Sequence, residues 1–194
     1  MNQKVMLFLF LGMVAVGLSG YYAVRLGLYP VAVINARFIG ARSFAQAADI
    51  VGKYYGQLLS QASQNTPSIF SPNLPPAELR RATLDKMVEN VLIYNELRNR
   101  AGNDLDRLVE GKLEPLKASN PDFEKAVSTL YGLSAGQFTR DVLIPAAHEE
   151  ILRGYLDGEK KTGYDEWLVS ARTGASVIIL APDLRWDGRQ VVNK

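Results

Sequence analysis

The chain has 194 residues, of which 47% are hydrophobic, and a formal net charge of +2. This composition excludes an intrinsically disordered chain and offers no clustered excess of Lys and Arg of the kind nucleic acid requires. There is no cysteine, which also excludes disulfides, thiolate metal sites and a cysteine nucleophile.

Val5 to Val24 (VMLFLFLGMVAVGLSGYYAV) is uncharged and lies between Lys4 and Arg25. As a helix this run spans roughly 30 Å, the thickness of a bilayer's hydrocarbon core. Tyr21 and Tyr22 suit an interfacial belt. The apolar run continues past Gly17 and Ser19, the small residues a signal cleavage site would need, which predicts a retained anchor. Lys4 and the amino terminus hold its start on the cytoplasmic side. The expected localisation is the cytoplasmic (inner) membrane, single-pass, with the bulk on the periplasmic or extracytoplasmic side. The expected organisation is an anchor over 1–28, a helical domain over 29–182 and a C-terminal tail over 183–194.

Tyr29-Pro30-Val-Ala-Val-Ile34 predicts a strand, Asn35-Ala36-Arg37 a turn, and Phe38-Ile39 a second extended piece. Ser43 to Ser60 has apolar residues at steps of three and four, from Phe44 to Leu59, and predicts an amphipathic helix with Ser43 as N-cap. The polar, proline-bearing stretch up to Pro76 is a loop. Pro75-Pro76-Ala-Glu78 opens the longest helix, with Leu84, Met87, Val88, Val91 and Leu92 as its stripe and a Glu96–Arg100 pair one turn apart. Gly102 ends it, and Asn103 or Asp104 caps a helix that turns Leu105, Leu108, Val109, Leu113 and Leu116 inward.

Asn120-Pro121 precedes a short helix with Phe123, Val127 and Leu130 on one side, stopped by Gly132. Ser134 and Gln137 have capping-box spacing. Pro145 interrupts the following helix or begins its successor, which continues through Ile151, Leu152 and Tyr155. Asp157 to Gly163 is a polar joint before a short helix from Tyr164 to Arg172. Ala175-Ser-Val-Ile-Ile-Leu180 is a strand. A lone strand leaves its backbone groups unpaired, so Val31–Ile34 is expected to pair with Val177–Leu180 and draw the ends of the helical body together.

Catalytic signals are sparse. His148 is the sole histidine, so a two-histidine metal site is excluded, and in His148-Glu149-Glu150 adjacent helical side chains diverge. There is no G-x-S-x-G elbow, G-x-G-x-x-G turn or phosphate loop. Asp85 and Glu89 share a helix face, but Arg81 and Lys86 nearby predict a solvated charged face. The chain is therefore expected not to be an enzyme and to need neither metal nor cofactor. What remains is apolar surface: Tyr54, Tyr55, Phe70, Tyr94, Tyr131, Phe138 and Tyr155 are spread over several helices, either as core or as a shallow cleft for apolar segments of other chains.

The order of these features carries a resemblance. An anchor is followed by Pro30-Val-Ala-Val-Ile-Asn35, a helix with Phe44, Leu84-Asp-Lys-Met-Val-Glu-Asn-Val-Leu92 leading to Gly102, Tyr131-Gly-Leu-Ser134 with Phe138, and Glu166-Trp-Leu168 before a closing strand. From about Tyr29 to Leu180 this resembles the chaperone module of SurA-like and PrsA-like foldases, related to the peptide-binding domain of trigger factor. The family often has Asn-Gly-Glu at the first turn, where this chain has Asn35-Ala36-Arg37. In such foldases a parvulin-type prolyl isomerase domain commonly sits where this chain has only Asp157 to Gly163, a stretch that can join helices but cannot form a domain.

The resemblance implies a mainly α fold, an N-terminal transmembrane helix followed by a helical domain closed by a small sheet of an N-terminal and a C-terminal strand. It implies ATP-independent binding of unfolded or exported polypeptides without isomerase activity. The residues expected to bind peptide are Tyr54, Leu58, Tyr94, Tyr131, Phe138 and Tyr155. The alternative is a structural adaptor docking one folded membrane or envelope partner, or a second copy of the chain.

Overall fold

The computed structural model describes residues 27–65, 75–159 and 163–194, together with Met13, Val14, Tyr21, Tyr22 and Arg25; of residues 54–65 it describes the backbone course alone. Most of the expected membrane segment Val5–Val24 lies outside the described residues. Among the described residues no helix is long and apolar enough to cross a membrane.

The fold is mainly helical with small antiparallel sheets. Strands β1 (Pro30–Ile34) and β2 (Arg37–Gly40) lead into α1 (Ala41–Asn65), α2 (Pro76–Ala101) and, through a 3₁₀ turn at Gly102–Asp104, α3 (Leu105–Ala118). Then come α4 (Phe123–Tyr131), α5 (Ala135–Phe138), a π-helical turn over Thr139–Leu143, α6 (Ile144–Glu159) and α7 (Tyr164–Gly174). Strands β3 (Val177–Ile179), β4 (Leu184–Trp186) and β5 (Val191–Asn193) close the chain.

The expected pairing of the two ends is present. β1 is the central strand of a sheet ordered β2-β1-β3, with Ala32 opposite Ile179 and Ile34 opposite Val177. Asn35 and Ala36 make a two-residue turn with φ of 46° and 66°, the left-handed pair that matches the twist of a hairpin. Asn35 also pins the third strand: its N–H donates to the Ser176 carbonyl, and its Oδ1 accepts from the Ser176 N–H, both at 2.9 Å. An alanine therefore occupies a conformation that glycine takes at no steric cost.

α2 is the axis of the domain. Pro75 precedes it and Pro76 fills its first turn, where a missing N–H costs nothing. Leu84, Val88 and Leu92 face a first core with Ala32, Ile34 and Phe44, while Ile93 and Leu97 face a second core with Leu105, Val109 and Leu152. A smaller third core holds Val127, Leu133 and Phe138. The expected inward face of α3 is confirmed at Leu105, Val109 and Leu113, but Leu116 at its end is exposed. Leu130, expected inside, is exposed as well.

Local end signals read from sequence mostly hold. Gly102 and Gly132 take positive φ at helix ends, and Ser134 and Gln137 form the capping box. Ser43, however, lies inside α1, which begins at Ala41, and the Asp104 side chain makes no cap bond. Pro145 is the second residue of α6, one residue past the π-helical turn. Having no N–H to return to the preceding turn, it requires an altered hydrogen-bond pattern there, which the wider turn provides.

Residues 183–194, expected as a tail, form a hairpin instead. Leu184 and Val191 are fully buried in the first core. The Arg81 guanidinium donates to the Val191 carbonyl at 3.0 Å, and the Val191 N–H donates to Asp85 Oδ1 at 2.8 Å. Asp187 Oδ1 accepts from the N–H groups of Arg189 and Gln190, closing the turn. The Asp187-Gly188 pair was a hairpin signal within the sequence; its three-residue strands are too short to show an alternating pattern.

Candidate functional site

α3 has two faces with different chemistry. Leu105, Val109 and Leu113 repeat every four residues and turn into the second core. Asp106, Glu110 and Glu114 repeat with the same spacing one position round the helix and are exposed. Between α3 and the π turn with α6 lies a groove of about 880 Å³, with Tyr94 of α2 among its lining residues. Val109, Leu113 and Ile144 give it an apolar floor, and the three carboxylates line its α3 side. Among the described residues, none of the three is in an ion pair or hydrogen bond.

Tyr94 and His148 set one end of the groove. Their rings lie 5.6 Å apart, and the Arg37 guanidinium sits 4.3 Å over the Tyr94 ring, so the sheet reaches the groove through a cation–π contact. Burial pushes the His148 imidazole below its ordinary pKa, against the pull of Asp106. At the other end Lys117, Thr139 and Ile144 are shared with a second depression of about 680 Å³ that also takes in Arg140 and Phe123. Through these shared residues the two adjoin as one trough, acidic along α3 and of mixed charge where α3 ends, with Lys117, Arg140 and Glu124. Lys112 to Glu150, at 2.5 Å, ties α3 to α6, and Arg100 ties α2 to α6 by bonding both Glu96 and Glu159.

As expected from their adjacency, His148, Glu149 and Glu150 diverge. His148 packs tilted against Tyr94, Glu149 bonds Lys86 and Arg153, and Glu150 bonds Lys112. Among the described residues no group of three His, Asp or Glu side chains could hold a metal ion. The trough's carboxylates follow one helix edge and do not converge on a point, and His148 lies at its end.

No protein-family model, no curated protein and no solved structure matches the chain.

The side chains expected to bind peptide do not gather in one place. Tyr94 lines the trough, and Tyr155 packs half-buried against the second core. Tyr131 and Phe138 stack with ring centroids 4.7 Å apart, and Phe138, only 9% exposed, belongs to the third core. Tyr54 and Leu58, like Tyr55 and Phe70, lie where no side chain is described. The trough's floor was present in the sequence as α3's inward stripe. Its acidic edge was visible only as spacing, because nothing local says which helix will leave that edge uncovered.

One expectation is overturned. Asp85 and Glu89 are not a solvated face: Glu89 is 9% exposed, and Arg172 of α7 reaches both carboxylates. Lys86 bridges Glu89 and Glu149 at 2.5 and 3.0 Å, and Arg153 covers the Tyr164 ring at 3.6 Å. Among the described residues every buried side-chain polar atom has a partner. This paired network joins α2, α6 and α7.

An apolar row also crosses the outer face of the sheet. Phe38 and Ile178 both lie opposite Val33, and they are 73% and 55% exposed. The inner face of the same strands holds Ala32, Ile34 and Ile39 in the first core.

Proposed function

We propose that the protein is a membrane-anchored, extracytoplasmic chaperone-like module that holds unfolded or exported polypeptides without ATP and without isomerase activity. The observation that supports this reading is the open trough with its apolar floor of Val109, Leu113 and Ile144. A trough of this kind binds by burying apolar side chains, at roughly 25 cal/mol per Å² before ordering costs. The resemblance to SurA-like and PrsA-like modules, and the apolar run Val5–Val24 as an anchor, give the reading its compartment and client class. The test is aggregation of a chemically unfolded client, followed by light scattering with the full chain held in nanodiscs. Slowed aggregation at stoichiometric amounts is expected; no effect at several-fold molar excess refutes the reading.

A second reading, an adaptor docked on one folded envelope partner, draws support from the row Phe38–Val33–Ile178. Crosslinking from Phe38 in native membranes separates the two. One stoichiometric partner supports the adaptor, and broad weak capture supports the chaperone.

A further inference from the structure

We infer that the trough selects cationic amphipathic segments, a basic helix laid along α3 with its apolar face on Val109, Leu113 and Ile144. The inference rests on the client-binding reading and narrows it to one chemical class.

Three observations carry it. The trough has an apolar floor and a charged edge along α3 that is acidic over Asp106, Glu110 and Glu114, up to Lys117. None of these carboxylates is neutralised by a partner among the described residues, so all three are available to a cationic ligand, unlike the ion-paired Glu96, Glu149 and Glu150. Third, the carboxylates recur every four residues, about 6 Å along the axis. A second helix with Lys or Arg every fourth residue has the same pitch and can meet all three while its apolar stripe enters the groove. A neutral apolar segment would leave the carboxylates unanswered, and an acidic one would be repelled. Lys117 at the far end limits the stretch over which cations are favoured.

Each exposed pair contributes modestly, so three together give about a tenfold preference, lost at high salt. The experiment uses the full chain in nanodiscs of zwitterionic lipid, with empty nanodiscs as control. Three fluorescent helical peptides share one apolar face and carry Lys, Gln or Glu on the flank. Anisotropy titrations should rank them Lys, Gln, Glu, with about ten times tighter binding for Lys than for Gln. A triple variant, Asp106→Asn with Glu110→Gln and Glu114→Gln, should lose the preference for Lys over Gln. The single reversal Glu110→Lys, which disturbs less of the helix, should also reduce it.

Equal binding of the Lys and Gln peptides overturns the charge selection while leaving client binding intact. No binding of any peptide overturns both. A Lys preference that persists in both variants shows that selection resides elsewhere and overturns the assignment to α3.

Discussion

Arg172 and Asp85, 87 residues apart, meet in a bidentate ion pair, with Nη1 on Oδ1 at 3.0 Å and Nη2 on Oδ2 at 3.1 Å. The same guanidinium donates to Glu89 Oε2 at 2.8 Å and to the Arg189 carbonyl at 3.1 Å. One side chain of α7 thus locks α2 and the C-terminal hairpin together. Because both carboxylates are largely shielded from water, removing the cation strands them, and breaking such a pair costs far more than losing a surface bridge. Arg172→Met is expected to lower stability by about 3–5 kcal/mol, read as a shifted urea midpoint. Arg172→Lys should recover only part, since an ammonium cannot bond a carboxylate in the same planar, two-point way. A loss below about 0.5 kcal/mol for Arg172→Met would mean the pair behaves as a solvated one.

The turn at Ala36 predicts a gain. An L-residue pays about 1–2 kcal/mol to sit in the left-handed region, and Ala36 is exposed, so its methyl contributes no packing. Ala36→Gly relieves that cost and gives back part of it through a freer unfolded chain. A net stabilisation of about 0.5–1 kcal/mol is expected in thermal and urea melts. An unchanged or lowered midpoint would show that the turn relaxes away from positive φ.

His148 sets a pH dependence. Burial holds its imidazole below the ordinary value despite Asp106, so the folded protein resists a proton that the unfolded chain accepts below about pH 6.5. The contribution is fully present above that pH and is lost as pH falls through it, until the folded group itself titrates. Stability should therefore decline from neutral toward mildly acidic pH, and His148→Gln should flatten that part of the curve. An imidazole titration by NMR with a midpoint above the ordinary value would reverse the sign.

Phe138 separates core from binding surface. Its ring touches Tyr131 and lies 6.1 Å from Phe123, within a small cluster away from the larger cores. Phe138→Ala is expected to cost about 3 kcal/mol, at the low end for a buried aromatic because a small cluster can collapse around the gap. Below the melting transition its affinity for a trough-binding peptide should match the wild type. A protein of unchanged stability with weakened peptide binding would make Phe138 a contact residue.

Much of the architecture was legible because it is decided locally. Helix periodicity in α2 and α3, the proline entry at Pro75-Pro76, the glycine ends at Gly102 and Gly132, and the Ser134–Gln137 box involve residues within one turn of each other. Their geometry follows from side-chain spacing and backbone hydrogen bonding with no knowledge of the rest of the chain. Even the long-range pairing of β1 with β3 could be inferred, since two isolated strands require partners.

What tertiary structure alone decided is where charge is buried and where it is left open. Asp85 and Glu89 read as solvated until Arg172 arrives from α7, and nothing in the sequence sets Asp106, Glu110 and Glu114 apart until the fold lines them along the trough. The hairpin at 184–193 belongs with these cases, because its strands are too short to announce themselves and are held by Asp85 and Arg81 from across the domain. Local patterning fixes which face of a helix is apolar. Whether a carboxylate on the other face meets an arginine, solvent or a partner depends on chain closure over tens of residues, to which no short window is sensitive.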